Sequence, residues 1–171
     1  MSYTFRKVQG LEIGDSFLDE SALDYAKKCL EEAKGRIILP VDSVVTDSFE
    51  PVEGRVVKVL DGDIPAGLQG VDIGPKSAEL FKSVIAKAKM VFWNGPMGVF
   101  EQKDFANGTI AICKAVAALK GAFSVCGGGD SAAAIKEFGY KESFSHVSTG
   151  GGASLEMIEN DGHLPGVDIL K

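Results

Sequence analysis

One local pattern recurs three times along this chain: a short apolar run, a turn dense in glycine or proline, and a helical segment. It runs through MVFWNGP at 90–96, AFSVCGGGDS at 122–131 and FSHVSTGGGAS at 144–154. Near-continuous apolar strands separated by helices suit strands buried on both faces, as in a parallel sheet. The pattern predicts an α/β chain with a parallel, Rossmann-like sheet and helices on both faces. Ligands of such sheets gather beyond the C-terminal strand ends. That rule places 94–101, 127–131 and 149–154 around one crevice.

The remaining elements follow from periodicity. Leu23, Ala26, Leu30 and Ala33 keep a helical period and Gly35 offers a stop. Pro75 suits the first turn of a helix with an apolar stripe of Ala78, Phe81, Ile85 and Ala88. Helices are expected at 109–120, 131–138 and 154–158. Strands are expected at 37–39, 56–60, 90–93, 122–126 and 144–147. Met1 to Ile13 reads as the tail of a structure already in progress, because Tyr3, Phe5 and Val8 have no earlier strand to cover.

Composition narrows the function classes. The chain's 171 residues are enough for one domain with a real core. A net charge of -6 argues against a nucleic-acid footprint. No apolar run approaches a membrane span and no secretion signal opens the chain, so a cytoplasmic setting is expected. Cys29, Cys113 and Cys126 have no metal-site spacing and read as small hydrophobes of a reducing compartment. Glycine is the outlier at 21 residues, with two triplets at Gly127–Gly129 and Gly150–Gly152.

CGGGDS offers free amides at a helix start, where Gly127, Gly128 and Gly129 let a phosphate oxygen approach. Asp130 could hold Mg²⁺ there; alternatively Asp130 or Ser131 simply caps the helix. STGGGAS has the same vocabulary without an acid and reads either as amides for a transferring phosphoryl or as a tight turn. Phe92 and Trp93 read as sheet core. Asn94 can donate to a phosphate, and Glu101 can accept from ribose hydroxyls or else be solvated or cap a helix. His146 and Cys126 have no arrangement that suggests catalysis. A Walker loop and a GxGxxG turn are both absent from the sequence.

Together FWNGPMGVFE, CGGGDS, SHVSTGGGASLE and LPGV, with DIGPKS, LPVD and MSYTF in support, resemble the carboxy-terminal part of phosphoglycerate kinase. The resemblance covers essentially the whole chain. It implies phosphoryl transfer between 1,3-bisphosphoglycerate and MgADP, giving 3-phosphoglycerate and MgATP. It also implies that Gly70 and Val71 line an adenine pocket, that Asn94, Gly95 and Met97 approach the nucleotide, and that Glu101 binds ribose. Asp130 would hold Mg²⁺, Ser131 would contact phosphate, and Thr149 with Gly150, Gly151 and Gly152 would meet the transferred group.

The same resemblance implies an incomplete carboxy-terminal nucleotide-binding domain over 1–171, truncated at its amino-terminal side. The family's substrate-binding half and its GGAKV-type stretch with the catalytic lysine have no counterpart here. Binding of 3-phosphoglycerate or 1,3-bisphosphoglycerate is therefore expected only with that missing half. Turnover by the chain alone is not expected. The alternative is a non-catalytic module that associates through an exposed sheet edge.

Overall fold

A computed structural model describes residues 1–170. Their contacts gather into two compact units, Met1–Ser83 with Met97–Thr109, and Val84–Pro96 with the residues from Ile110 onward. The first unit holds α1 (Ser2–Val8), α2 (Leu23–Ala33), β1 (Asp42–Thr46), β2 (Val57–Asp61) and β3 (Gln69–Ile73). Most of α3 (Pro75–Ile85) also belongs to it. The second unit holds β4 (Met90–Asn94), most of α4 (Asn107–Ala117), β5 (Phe123–Gly127), α5 (Gly129–Glu137), β6 (His146–Ser148), α6 (Gly151–Glu159) and α7 (Pro165–Asp168).

The parallel strands β4-β5-β6 lie in the second unit, and among the described residues the first has only an isolated parallel bridge between Ile13 and Ile64. The first unit instead forms an antiparallel sheet, β2-β1-β3. This corrects the expectation of a purely parallel sheet: the fold is α/β and Rossmann-like, with both parallel and antiparallel strands flanked by helices. The physical reason is connection length. No helix separates β1 from β2 or β2 from β3, and a parallel crossover normally requires one. β2 is an edge strand, and its Val57 and Val59 are exposed.

The chain also departs from its apolar pattern at 37–39, where no strand forms. The buried strand begins after Pro40, as DSVVT, with every residue buried. Its polar members each have a partner. Asp42 accepts from the start of α3, Ser43 Oγ accepts from Arg6 at 2.8 Å, and Thr46 Oγ1 bonds Ser48 O at 2.8 Å. The opening residues form α1, which buries its polar Thr4 and Arg6. Arg6 ties that helix to the sheet through Ser43 and Gly62 O.

In the second unit, Trp93 is buried and stacks on Phe144 with ring centroids 6.0 Å apart. Cys126 pairs in register with Trp93 from the neighbouring strand. No helix among the described residues is long and apolar enough to cross a membrane.

Candidate functional site

Strand register assembles the second unit's loops. Asn94 at the end of β4 lies beside Gly127 of β5, and Gly127 lies beside Ser148 of β6. Three glycine-rich turns therefore leave the sheet in one row. Gly128 N continues the ladder by donating to Ser148 O at 3.0 Å.

The turns meet at close range. A β-carbon on Gly151 would lie 2.7 Å from Gly128 Cα and 2.6 Å from Asn94 Oδ1. One on Gly128 would lie 2.8 Å from the same Asn94 oxygen. These separations are well inside carbon van der Waals contact, so the junction exists only with glycine at both positions. Gly128 also has φ of 100°, a conformation that side chains disfavour.

Both helices entering this junction start on glycine. The N-cap of α5 is Gly128 and that of α6 is Gly150, and neither helix start has a side-chain cap. The capping alternative for Asp130 and Ser131 thus has no support in this geometry. Amides of the first turns remain without intrahelical partners and carry the positive end of the helix dipole. Exposed around them are Asn94, Gly129, Asp130, Thr149, Gly150 and Gly152.

Ser131 is buried, and its Oγ accepts from Gly95 N at 2.7 Å. Trp93 Nε1 donates to Gly95 O at 2.7 Å. Gly95 is thus held from both sides. Cys126 is fully buried, and burial pushes its thiol pKa up despite a hydrogen bond with Ser131. Cys113 is pushed up to about 12, mainly by burial. Neither thiol is suited to act as a nucleophile.

Gly70, Val71, Met97 and Glu101 belong to the first unit. Gly70, Val71 and Met97 line a cavity of about 110 Å³ with Tyr3, Arg6 and Ser43. The Tyr3 hydroxyl occupies the space a β-carbon on Gly70 would fill. Arg6 Nε is buried there without a hydrogen-bond partner. Tyr3 and Arg6 carry no ligand motif in the sequence; MSYTF includes Tyr3, and Arg6 lies outside it.

The segment from Met97 to Thr109 is pinned at its base. Thr109 Oγ1 accepts from Met97 N at 3.1 Å and from Gly98 N at 3.4 Å. Val99 N donates to Val71 O at 2.9 Å. Asp72 accepts from Gly108 N at 2.6 Å and Ile73 N at 2.8 Å, and its carboxylate fills the space beside Gly98. Glu101 is exposed on the turn closed by Gln102 N donating to Val99 O at 3.1 Å.

Asp72 is 2% exposed, and burial raises its pKa from 3.8 to about 6 against the pull of its two amide donors. Between those values the folded chain binds more protons than the unfolded one, so stability falls as pH rises. The shift corresponds to roughly 3 kcal/mol. Urea unfolding of Asp72→Asn and the parent at pH 3.5 and pH 7 should show the variant gaining about that much relative stability on going to neutral pH. An unchanged difference would contradict this assignment.

The sequence profile of phosphoglycerate kinase matches residues 1–161. The chain belongs to the phosphoglycerate kinase family. Phosphoglycerate kinase of Macrococcus caseolyticus is 52% identical over 170 residues, covering 99% of this chain and 42% of that protein. That of Staphylococcus saprophyticus is 53% identical over 167 residues, covering 98% of this chain and 42% of its own length. The phosphoglycerate kinase structure from Coxiella burnetii superposes with a TM-score of 0.89 at 38% identity, covering 99% of this chain and 44% of that one. The structure from Pyrococcus horikoshii gives 0.80 at 33% identity, covering 96% and 41%. The chain spans about two fifths of the length of these phosphoglycerate kinases.

Proposed function

We propose that this chain is the carboxy-terminal, nucleotide-binding part of a phosphoglycerate kinase. It would supply the nucleotide and Mg²⁺ side of reversible phosphoryl transfer between 1,3-bisphosphoglycerate and MgADP, giving 3-phosphoglycerate and MgATP. The observation that carries the reading is the junction of Asn94, Gly128 and Gly151 in front of two uncapped helix starts. Oriented amides in a row are suited to phosphate oxygens, and glycine lets those oxygens approach.

The roles divide by chemistry. Gly127, Gly128 and Gly129 give the nucleotide phosphates access to the α5 amides, and Asn94 adds a side-chain donor. Ser131 fixes Gly95 by accepting from its amide; its contribution to phosphate would come from its own backbone N–H. Gly150, Gly151 and Gly152 offer the α6 amides to the charge that develops on the transferring group. By the family resemblance, Gly70, Val71 and Met97 would face adenine and Glu101 the ribose hydroxyls.

Asp130 is an exposed carboxylate in the first turn of α5. No cluster of three or more His, Cys, Asp or Glu suited to a metal occurs among the described residues. A single carboxylate nevertheless fits Mg²⁺, which takes one or two carboxylates and completes its shell with phosphates and water. When bound, the ion would neutralise phosphate charge.

None of the three loops carries lysine or arginine. Transfer needs such cations, so binding of 1,3-bisphosphoglycerate and full turnover would require the family's other half. Calorimetric titration with ADP tests the Mg²⁺ assignment. Mg²⁺ should tighten ADP binding to the parent by roughly fivefold or more, about 1 kcal/mol. Asp130→Asn should remove most of that gain and leave Mg²⁺-free affinity within about twofold. An identical Mg²⁺ gain in the variant would overturn the assignment.

A further inference from the structure

We propose that Arg55 is a positioning residue for Glu101, and that it sets how strongly the chain prefers a nucleotide bearing ribose hydroxyls. The inference rests on the reading of Glu101 as the ribose acceptor. It concerns a residue outside every motif singled out in the sequence.

Glu101 is exposed and extends from a tight turn, so its usefulness as a hook depends on how firmly its backbone is held. On its amino side, Val99 N is bonded to Val71 O at 2.9 Å. On its carboxyl side, the next residue is fastened through its side chain. Gln102 Nε2 donates to Phe49 O at 2.7 Å, and Gln102 Oε1 accepts from Arg55 Nη1 at 2.7 Å.

Arg55 grips more than Gln102. Its Nη1 also donates to Phe49 O at 3.3 Å, its Nη2 pairs with Asp104, and its guanidinium carbon lies 4.8 Å from the centre of the Phe105 ring. Three of the four residues after Glu101 are therefore held by one side chain that is only 9% exposed. Phe105 is itself fully buried against Val44 and Val71, and Val99 packs on the same cluster. The turn bearing Glu101 is fixed to the core at both ends.

The chemistry calls for arginine in particular. A planar fork can serve Gln102 and Asp104 with different nitrogens while its face lies over Phe105, and an ammonium cannot do both. The segment that presents Arg55 is itself tied down, with Arg55 N donating to Val52 O at 3.2 Å and Val56 N to Asp47 Oδ1 at 2.9 Å. A carboxylate held in place loses little freedom when it engages a vicinal diol, and that difference appears as selectivity for the diol.

The test compares ADP with 2′,3′-dideoxyadenosine 5′-diphosphate, both with Mg²⁺, on the full 171-residue chain. Arg55→Ala should reduce the ADP-to-dideoxy affinity ratio by about threefold or more and change dideoxy affinity by less than about twofold. Arg55→Lys should also lower the ratio, and covers the case in which the alanine variant fails to fold. Equal weakening of both nucleotides, or an unchanged ratio, overturns the role of Arg55. Glu101→Ala is the reference. If it collapses the ratio while the Arg55 variants do not, only the positioning role fails. If Glu101→Ala leaves the ratio unchanged, or the parent shows no preference, the ribose reading fails and the proposal with it.

Discussion

Asp42→Ala is expected to destabilise the first unit by about 3–4 kcal/mol. The side chain is fully buried and caps a helix that begins more than thirty residues later. Its carboxylate accepts from Lys76 N at 2.9 Å, Ser77 N at 2.8 Å and Ser77 Oγ at 2.5 Å. Ser77 Oγ in turn accepts from Val41 N and Asp42 N, at 2.9 and 3.0 Å. Removing the carboxylate strands the buried Ser77 amide and the partly buried Lys76 amide at the positive end of α3, and frees the serine that anchors the start of β1.

The ionisation of Asp42 makes this loss pH-dependent. Burial pushes its pKa up, but the Ser77 hydroxyl, the Lys76 and Ser77 amides and the Lys76 charge outweigh burial, so the net shift is downward. A depressed native value contributes stability above the ordinary pKa of 3.8, and that contribution is lost as pH falls through the native value. Denaturant unfolding should show a penalty for Asp42→Ala at pH 7 that shrinks as pH falls below 3.8. A neutral-pH penalty under about 1 kcal/mol would contradict the capping account.

Gly151→Ala should have the second largest effect, and on binding more than on folding. The added methyl would meet Gly128 Cα at 2.7 Å and Gly128 N at 2.9 Å, both parts of the backbone. A flexible side chain could swing aside, but these atoms cannot. The starts of α5 and α6 must separate, at about 1–3 kcal/mol. If most of that falls on the liganded state, ADP affinity drops roughly five- to a hundredfold. Gly152→Ala is the control, because a β-carbon there meets nothing within 4 Å. Equal affinities for the two variants, measured by calorimetry, would remove the junction from the binding account.

The parallel part of the fold is legible in the sequence because its strands carry apolar residues up to an abrupt glycine turn. Strand ends expected at Trp93, Cys126 and Val147 fall one residue short of the observed Asn94, Gly127 and Ser148, and register then brings the loops together. Of the antiparallel sheet only β2 is legible, from VVKVL, and β1 and β3 are hidden for the opposite reason. β1 buries Asp42, Ser43 and Thr46, while β3 carries Gln69, Gly70 and Asp72, so neither shows an apolar run. Burial of these polar side chains is sustained by partners distant in sequence, such as Arg6, Ser77 and Gly108, which no local window pairs with them.

The candidate site divides in the same way. Glycine triplets and the acid that follows one of them mark the proposed phosphate cradle at the level of residue type. The role of Ser131 is less visible, because only the fold turns its hydroxyl toward Gly95. Arg55 is invisible to motif reading. It stands in an irregular stretch, and its partners Gln102, Asp104 and Phe105 lie nearly fifty residues away.

The central proposal is that the phosphates of MgADP bind at the glycine turns of the second unit. Backbone amide shifts of the isotopically labelled chain, followed during MgADP titration, test it most directly. The expected result is saturable shifts at Gly95, at Gly128 to Ser131 and at Gly150 to Gly152. Shifts that saturate elsewhere, or an unchanged spectrum at millimolar MgADP, would contradict it.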